Sequence, residues 1–225
     1  MKYKNLYIIG TSHIASQSIK EVEKEIAKLE PDIVALELDK KRLAALLSEK
    51  KPDKIRVKDI KRVGFKGWLF SVIGAWVEKK LGDQVGVSPG SDMLAAFHAA
   101  RKVKARIALI DQDIEVTLKR FSQELSWKEK WNFFVDIFKG LVFRKTDIGF
   151  DLSTVPTQAT ISKLIKQVKK RYPNIYKVLI IERNDVMAAN LAHLFLRYPD
   201  KKIVAIVGAG HEKDIMKLVK QKIRE

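Results

Sequence analysis

Two stretches decide the fold: residues 5–13, NLYIIGTSH, and residues 31–39, PDIVALELD. In each, a short apolar run stops abruptly at Gly or at a carboxylate. A run without polar alternation needs cover on both faces, which is the mark of a strand inside a parallel sheet. The segment between them reads as a helix. Ser18 and Glu21 have capping-box spacing, Ile19, Val22, Ile26 and Leu29 share one face, and Pro31 ends it. The unit is therefore strand, helix, strand, with strands expected over Asn5–Ile9 and Asp32–Leu36.

Working outward, Arg106–Ile110 (RIALI) and Lys202–Val207 (KIVAIV) repeat the buried-strand pattern. Helices are expected at about Lys40–Leu47, Gly67–Leu81, Pro89–Lys102, Ser162–Tyr172, Ile175–Tyr198 and Glu212–Ile223. A further helical region over Asp113–Phe143 should break near Ser126. No fixed repeat and no Ser/Gly linker interrupts this order. One α/β domain over residues 1–225 follows, a mainly parallel central sheet flanked by helices. Residues 67–81 and 113–198 should supply a helical cap or insertion.

The 225 residues, 46% of them hydrophobic, are enough to bury a core, and 32% charged residues exclude a low-complexity chain. Lys and Arg exceed Asp and Glu by 44 to 27, a net +17 that favours polyanionic surfaces. No nucleic-acid recognition motif accompanies that charge, so binding to nucleic acid should be non-specific and salt-sensitive. The absence of cysteine rules out disulfides, thiolate zinc sites and thiol nucleophiles. The start has no signal-peptide pattern, and the longest uncharged stretch, Gly67–Val77, spans only about half of a ~30 Å bilayer core. A cytoplasmic protein is expected, with peripheral contact to a membrane as the alternative.

In parallel sheets, ligands bind beyond the carboxyl ends of the strands. Beyond the four expected strands stand Gly10-Thr11-Ser12-His13, Glu37-Leu38-Asp39 with Arg42 one turn later, Asp111-Gln112-Asp113, and Gly208-Ala209-Gly210-His211. Two of the four histidines thus fall at one edge in matching G-x-x-H segments. Glycine permits close backbone approach, and imidazole serves as metal ligand or general base. Glu37 is read as a ligand or base, or as an ion-paired surface carboxylate; Asp39 is read as a helix N-cap. His98 and His193 lie in helices among apolar residues and read as structural. Ser12 has no nucleophile elbow around it, and no phosphate-binding glycine loop occurs. Gly90-Ser91-Asp92 reads as a capping turn.

The helices Gly67–Leu81 and Trp127–Phe143 carry more bulky apolar side chains than one stripe requires. They should cap the site or form a homodimer contact, with Lys79 and Lys80 at the rim. The alternative is full burial of their rings in a monomer core.

The segments GTSHIASQSIKEVEKEI, PDIVALELDKKRLAAL, GSDMLAAFHAA, LIDQDIEVTLKR, IERNDVMAANL and VGAGHEKDI, in this order, resemble the TraB/PrgY (pheromone-shutdown) family. That family is related to the TIKI metalloproteases and, more distantly, to erythromycin esterase-like proteins. The resemblance matches its two G-x-x-H motifs to His13 and His211, its glutamate to Glu37, the arginine of T-L-x-R to Arg120, and its E-R pair to Glu182-Arg183. Gln112 and Asn184 stand where similar members commonly carry Arg and Asp. What the resemblance implies is a divalent-metal hydrolase (Mn, Co or Zn) acting on a peptide or small-molecule substrate. His13, His211 and Glu37 would be ligands, Glu37 or His13 the base, and Arg120 or Arg183 the oxyanion stabiliser. Gly10, Asp39, Arg42, Asp111, Glu182, Gly208 and Gly210 would surround them. A metal-free hydrolase with His13 as base oriented by Glu37, and a non-catalytic peptide-sequestering protein, are the alternatives.

Overall fold

A computed structural model of the chain describes residues 1–11, 16–48, 90–132, 135 and 158–224. Each expected apolar run becomes a strand: β2 (Leu6–Thr11), β3 (Ile33–Leu36), β4 (Arg106–Leu109) and β5 (Ile203–Gly208). A two-residue strand, β1 (Lys2–Tyr3), pairs antiparallel with β2; its shortness gave no sequence signal. The sheet order is β1-β2-β5-β3-β4, and every pairing except β1 with β2 is parallel. The architecture is thus mixed α/β with a mostly parallel sheet flanked by helices. The last strand in sequence lies between the first two long ones, with Leu6 and Ile33 both opposite Ile203. All six residues of β5 and all four of β3 are buried, which explains why both runs are purely apolar.

The helices follow as α1 (Ser16–Leu29), α2 (Lys40–Leu47), α3 (Ser91–Lys102), α4 (Ile114–Glu124), α5 (Gln158–Arg171), α6 (Pro173–Tyr176), α7 (Arg183–Arg197) and α8 (Glu212–Lys222). One face of the sheet, with Val34, Leu36, Val204 and Ile206, is covered by Val22 and Ile26 of α1 and Met93 and Ala96 of α3. The other face, with Ile8, Ile33, Ala205 and Val207, is covered by Met187 and Leu191 of α7 and Ile215 and Val219 of α8. The adjacent strands β2 and β5 therefore send their following helices to opposite faces. That divergence opens a crevice beyond their carboxyl ends, the topological switch point of an open α/β sheet.

Four local expectations change. Ser18 is the third residue of α1 and buried, so it is not the cap of a helix starting there; the helix extends two residues further toward the amino end. Gly90 heads α3, but no side chain caps it, and Asp92 instead accepts a hydrogen bond from Thr11 Oγ1 at 2.5 Å. Gly90 has φ +83°, which favours glycine, and a Cβ there would also meet Leu46 Cδ2 at 3.0 Å, so that side chain would have to give way. The helix expected over Ile175–Tyr198 is interrupted by a π-helical turn, Lys177–Glu182. His98 and His193 do lie on helices, yet both are exposed rather than set among apolar side chains. Among the described residues no helix is long and apolar enough to cross a membrane. Gly67–Leu81, including Trp76, Lys79 and Lys80, lies outside the described residues, as do Phe134 and the end of the Trp127–Phe143 segment.

The break expected near Ser126 is present, and a helical stretch over 127–132 follows it. Glu129 fixes this stretch. Its carboxylate accepts from Ser126 N at 3.0 Å, Ser126 Oγ at 2.8 Å, Asn174 N at 2.7 Å and Asn174 Nδ2 at 2.8 Å. Burial opposes its charge, but the hydrogen bonds from Asn174 and Ser126 prevail and hold the carboxyl below its ordinary pKa. A depressed folded-state pKa contributes stability above the unfolded pKa that is lost as pH falls through the folded one. Glu129→Gln is accordingly expected to cost about 1–3 kcal/mol at neutral pH and progressively less in acid. Urea melts at pH 7 and pH 3 check this; an equal loss at both would show that the charge contributes nothing.

Candidate functional site

Glu37 is the first residue past β3, and the strand delivers it to the carboxyl edge with its side chain only 3% exposed. Its backbone N–H still bonds to Ile206 O at 3.1 Å, so the sheet itself fixes its position. Oε2 accepts the Gly208 amide at 2.6 Å, and Oε1 accepts Arg183 Nη2 at 2.5 Å. Glu37 is therefore a buried, paired carboxylate and not a surface one.

Arg183 opens α7 immediately after the π-helical turn. The i to i+5 bonding of such a turn inserts extra backbone, and π turns recur at functional sites. Here the turn ends at Glu182, and the two consecutive side chains serve different partners. Glu182 meets Arg120 at 2.7 Å and 3.2 Å, while Arg183 reaches Asp111 at 3.0 Å and 2.7 Å as well as Glu37. Arg183 Nη1 also donates to Leu179 O at 3.3 Å, within the turn itself. Asp111, at the end of β4, is only 1% exposed and receives Arg42 Nη1 at 2.9 Å and the Gln112 amide at 2.8 Å. Two carboxylates are thus matched by two guanidiniums. Burial works against the Arg183 charge, but Glu37 and Asp111 outweigh it and raise its pKa, so it stays a cation.

His211 stands at the head of α8, past β5. Its Nε2 faces Glu37 Oε1 at 3.7 Å, and its Nδ1 lies 2.5 Å from Asn184 Oδ1. An amide oxygen only accepts, so Nδ1 is the donor to Asn184 and the ring is oriented with Nε2 on the Glu37 side. Gly208 and Gly210 flank the turn leading to His211, which is closed by His211 N to Gly208 O at 2.8 Å. Gly10 belongs to the neighbouring strand; a Cβ there would lie 3.0 Å from Ala209 Cα and 2.9 Å from Glu212 Oε2, so glycine lets the two loops approach.

The structure brings together Glu37, Asp111, Arg42, Arg183, His211 and Gly208. Asp39 caps α2, accepting from Lys41 N at 2.7 Å and Arg42 N at 3.1 Å, which also holds Arg42 toward Asp111. Arg120 and Glu182 form their own pair beside the cluster, with Glu124 at 3.1 Å from Arg120. His13 lies outside the described residues, although β2 ends at Thr11 in register with Gly208. Sequence reading did not single out Asn184 as the partner of His211. The E-R-N spacing just before an apolar helix was the only available signal. Among the described residues no three His, Asp or Glu side chains converge tightly enough to hold a metal ion. Glu37 and His211 provide two such donors. A groove of about 550 Å³, lined by Glu30, Asp32, Lys104, Arg106, Tyr198 and Lys201, opens at the opposite edge of the sheet and holds none of these residues.

Residues 2–223 match the model of the TraB/PrgY/gumN family. The chain is 36% identical to an uncharacterised protein of Methanocaldococcus jannaschii over 220 residues, covering 96% of this chain and 54% of that protein. It is 25% identical to a TraB domain-containing protein of Mus musculus over 236 residues and 24% identical to one of Homo sapiens over 237 residues. Each of these two alignments covers 94% of this chain and 62% of the mammalian protein. The chain thus spans between about half and three-fifths of the length of these relatives.

Proposed function

Because the chain belongs to the TraB/PrgY/gumN family, we propose that it is a hydrolase of peptide or peptide-like substrates working at the carboxyl edge of its sheet. The observation that carries this reading is the pairing of an oriented imidazole with a buried carboxylate, His211 Nε2 at 3.7 Å from Glu37 Oε1. Arg183 and the Gly208 amide hold the Glu37 carboxyl in place, and Asn184 holds the His211 ring. These are the supports expected of a preorganised acid–base pair.

The donor set fits a divalent cation if His13 joins His211 and Glu37, giving the nitrogen and oxygen ligands suited to Mn, Co or Zn. Such an ion would supply Lewis acidity toward the scissile carbonyl. One observation favours a second, metal-free reading. Glu37 already accepts Arg183 on Oε1 and Gly208 on Oε2, so an ion would have to share that carboxylate with a guanidinium. In this route His13 or His211 is the general base and Glu37 orients it.

Elemental analysis of purified protein, with a peptide-library cleavage assay before and after chelation, decides between them. Loss of cleavage on chelation and its return with Mn, Co or Zn is the expected result. Cleavage that survives chelation transfers the reading to the metal-free route. Peptides retained but never cut, with and without added metal, would overturn hydrolysis in favour of sequestration.

A further inference from the structure

Trp127 is 84% exposed and Trp131 is 68% exposed, and they stand four residues apart on the 127–132 helix. That spacing places both rings on one face. The face is held outward, because Glu129 on the inner side is anchored to Ser126 and Asn174. Lys128 is exposed on the same helix, and Lys130 lies over the Trp127 ring at 4.2 Å from its centroid. The last turn of α5 runs beside it, with Asn132 Nδ2 donating to Arg171 O at 3.4 Å, and carries exposed Lys169 and Lys170.

We propose that this face is a docking surface for an anionic phospholipid bilayer. Indole rings settle at the headgroup level, where an apolar body meets a wet edge, and lysines reach past them to lipid phosphates and carboxylates. The charge is complementary: the described acidic residue within the 127–132 helix, Glu129, is buried and turned inward, and the whole chain carries +17. Two aromatic anchors with a basic fringe combine the apolar and electrostatic signals that stable peripheral binding requires. Nothing in this inference depends on the proposed hydrolytic chemistry.

The test is flotation of the full chain with large vesicles, either pure phosphatidylcholine or phosphatidylcholine with phosphatidylserine, at low and at physiological salt. Binding to the anionic vesicles alone is expected. Trp127→Ser with Trp131→Ser should weaken it about tenfold or more with little change in melting temperature, since both rings are exposed. Lys128→Glu with Lys170→Glu, which leaves the aromatic rings in place, should weaken it at least about fivefold for each charge changed. Several outcomes overturn the proposal: no flotation with anionic vesicles, flotation unaffected by either double variant, or a single-stranded oligonucleotide that binds the patch while the vesicles do not. A tryptophan variant that converts a dimer to a monomer without affecting flotation does so as well.

Discussion

Arg183→Met is expected to destabilise the fold by about 3–5 kcal/mol, the usual loss when one partner of a buried charge cluster is removed. Glu37 and Asp111 are 3% and 1% exposed, and Arg183 touches both. Without it, Asp111 keeps Arg42, while Glu37 loses its guanidinium and the Gly208 amide and the neighbouring imidazole remain beside it. Arg183→Lys should recover only part of the loss, because an ammonium cannot bridge two carboxylates as a planar fork does. The loss should also depend on pH with a definite sign. In the Met variant an uncompensated buried carboxylate has a folded-state pKa above its unfolded value. Its contribution is then fully present below the unfolded pKa and is lost as pH rises through the folded one. The gap between wild type and variant should therefore narrow toward pH 4. Urea denaturation across pH 4–8 reads it, and a loss below about 1 kcal/mol, or one independent of pH, would mean the cluster is relaxed by water.

His211→Gln is expected to lower the proposed hydrolysis by about 10²–10⁴-fold, the range for removing a positioned acid–base group. Its effect on the fold should be small, because the turn and the start of α8 are held by backbone bonds, His211 N to Gly208 O and Ile215 N to His211 O, both independent of the ring. A glutamine can also still donate to Asn184. If His211 is a metal ligand, the same variant loses bound metal; if it is a base, metal content does not change. Asn184→Asp supplies a sharper readout. A carboxylate against Nδ1 stabilises the imidazolium, so the acid limb of the pH–rate profile should move to higher pH. Rates within about threefold of wild type for His211→Gln would remove it from the reacting group.

What the sequence by itself determined was local or followed from a general rule. The four apolar runs became β2 to β5 because an uninterrupted apolar stretch between polar stops has few ways to hide other than a covered strand. Glu37, Asp111, Gly208 and His211 were legible as one edge because in a parallel sheet every strand end that precedes a crossover points the same way. The Asp39 cap was legible because its partners lie two and three residues away. Tertiary structure alone decided which strand lies beside which. β5 enters between β2 and β3, where all six of its residues are buried beneath helices on both faces. It also decided the charge cluster, in which Arg183 meets Glu37 across 146 residues of chain, and the Glu129 anchor that turns Trp127 and Trp131 outward. The π-helical turn that immediately precedes Arg183 belongs with these, because the sequence pattern predicted an uninterrupted helix there. A sequence pattern reports how one segment meets its solvent, whereas side chains brought together over such separations answer to the whole packed sheet, and that is fixed only when the layers close.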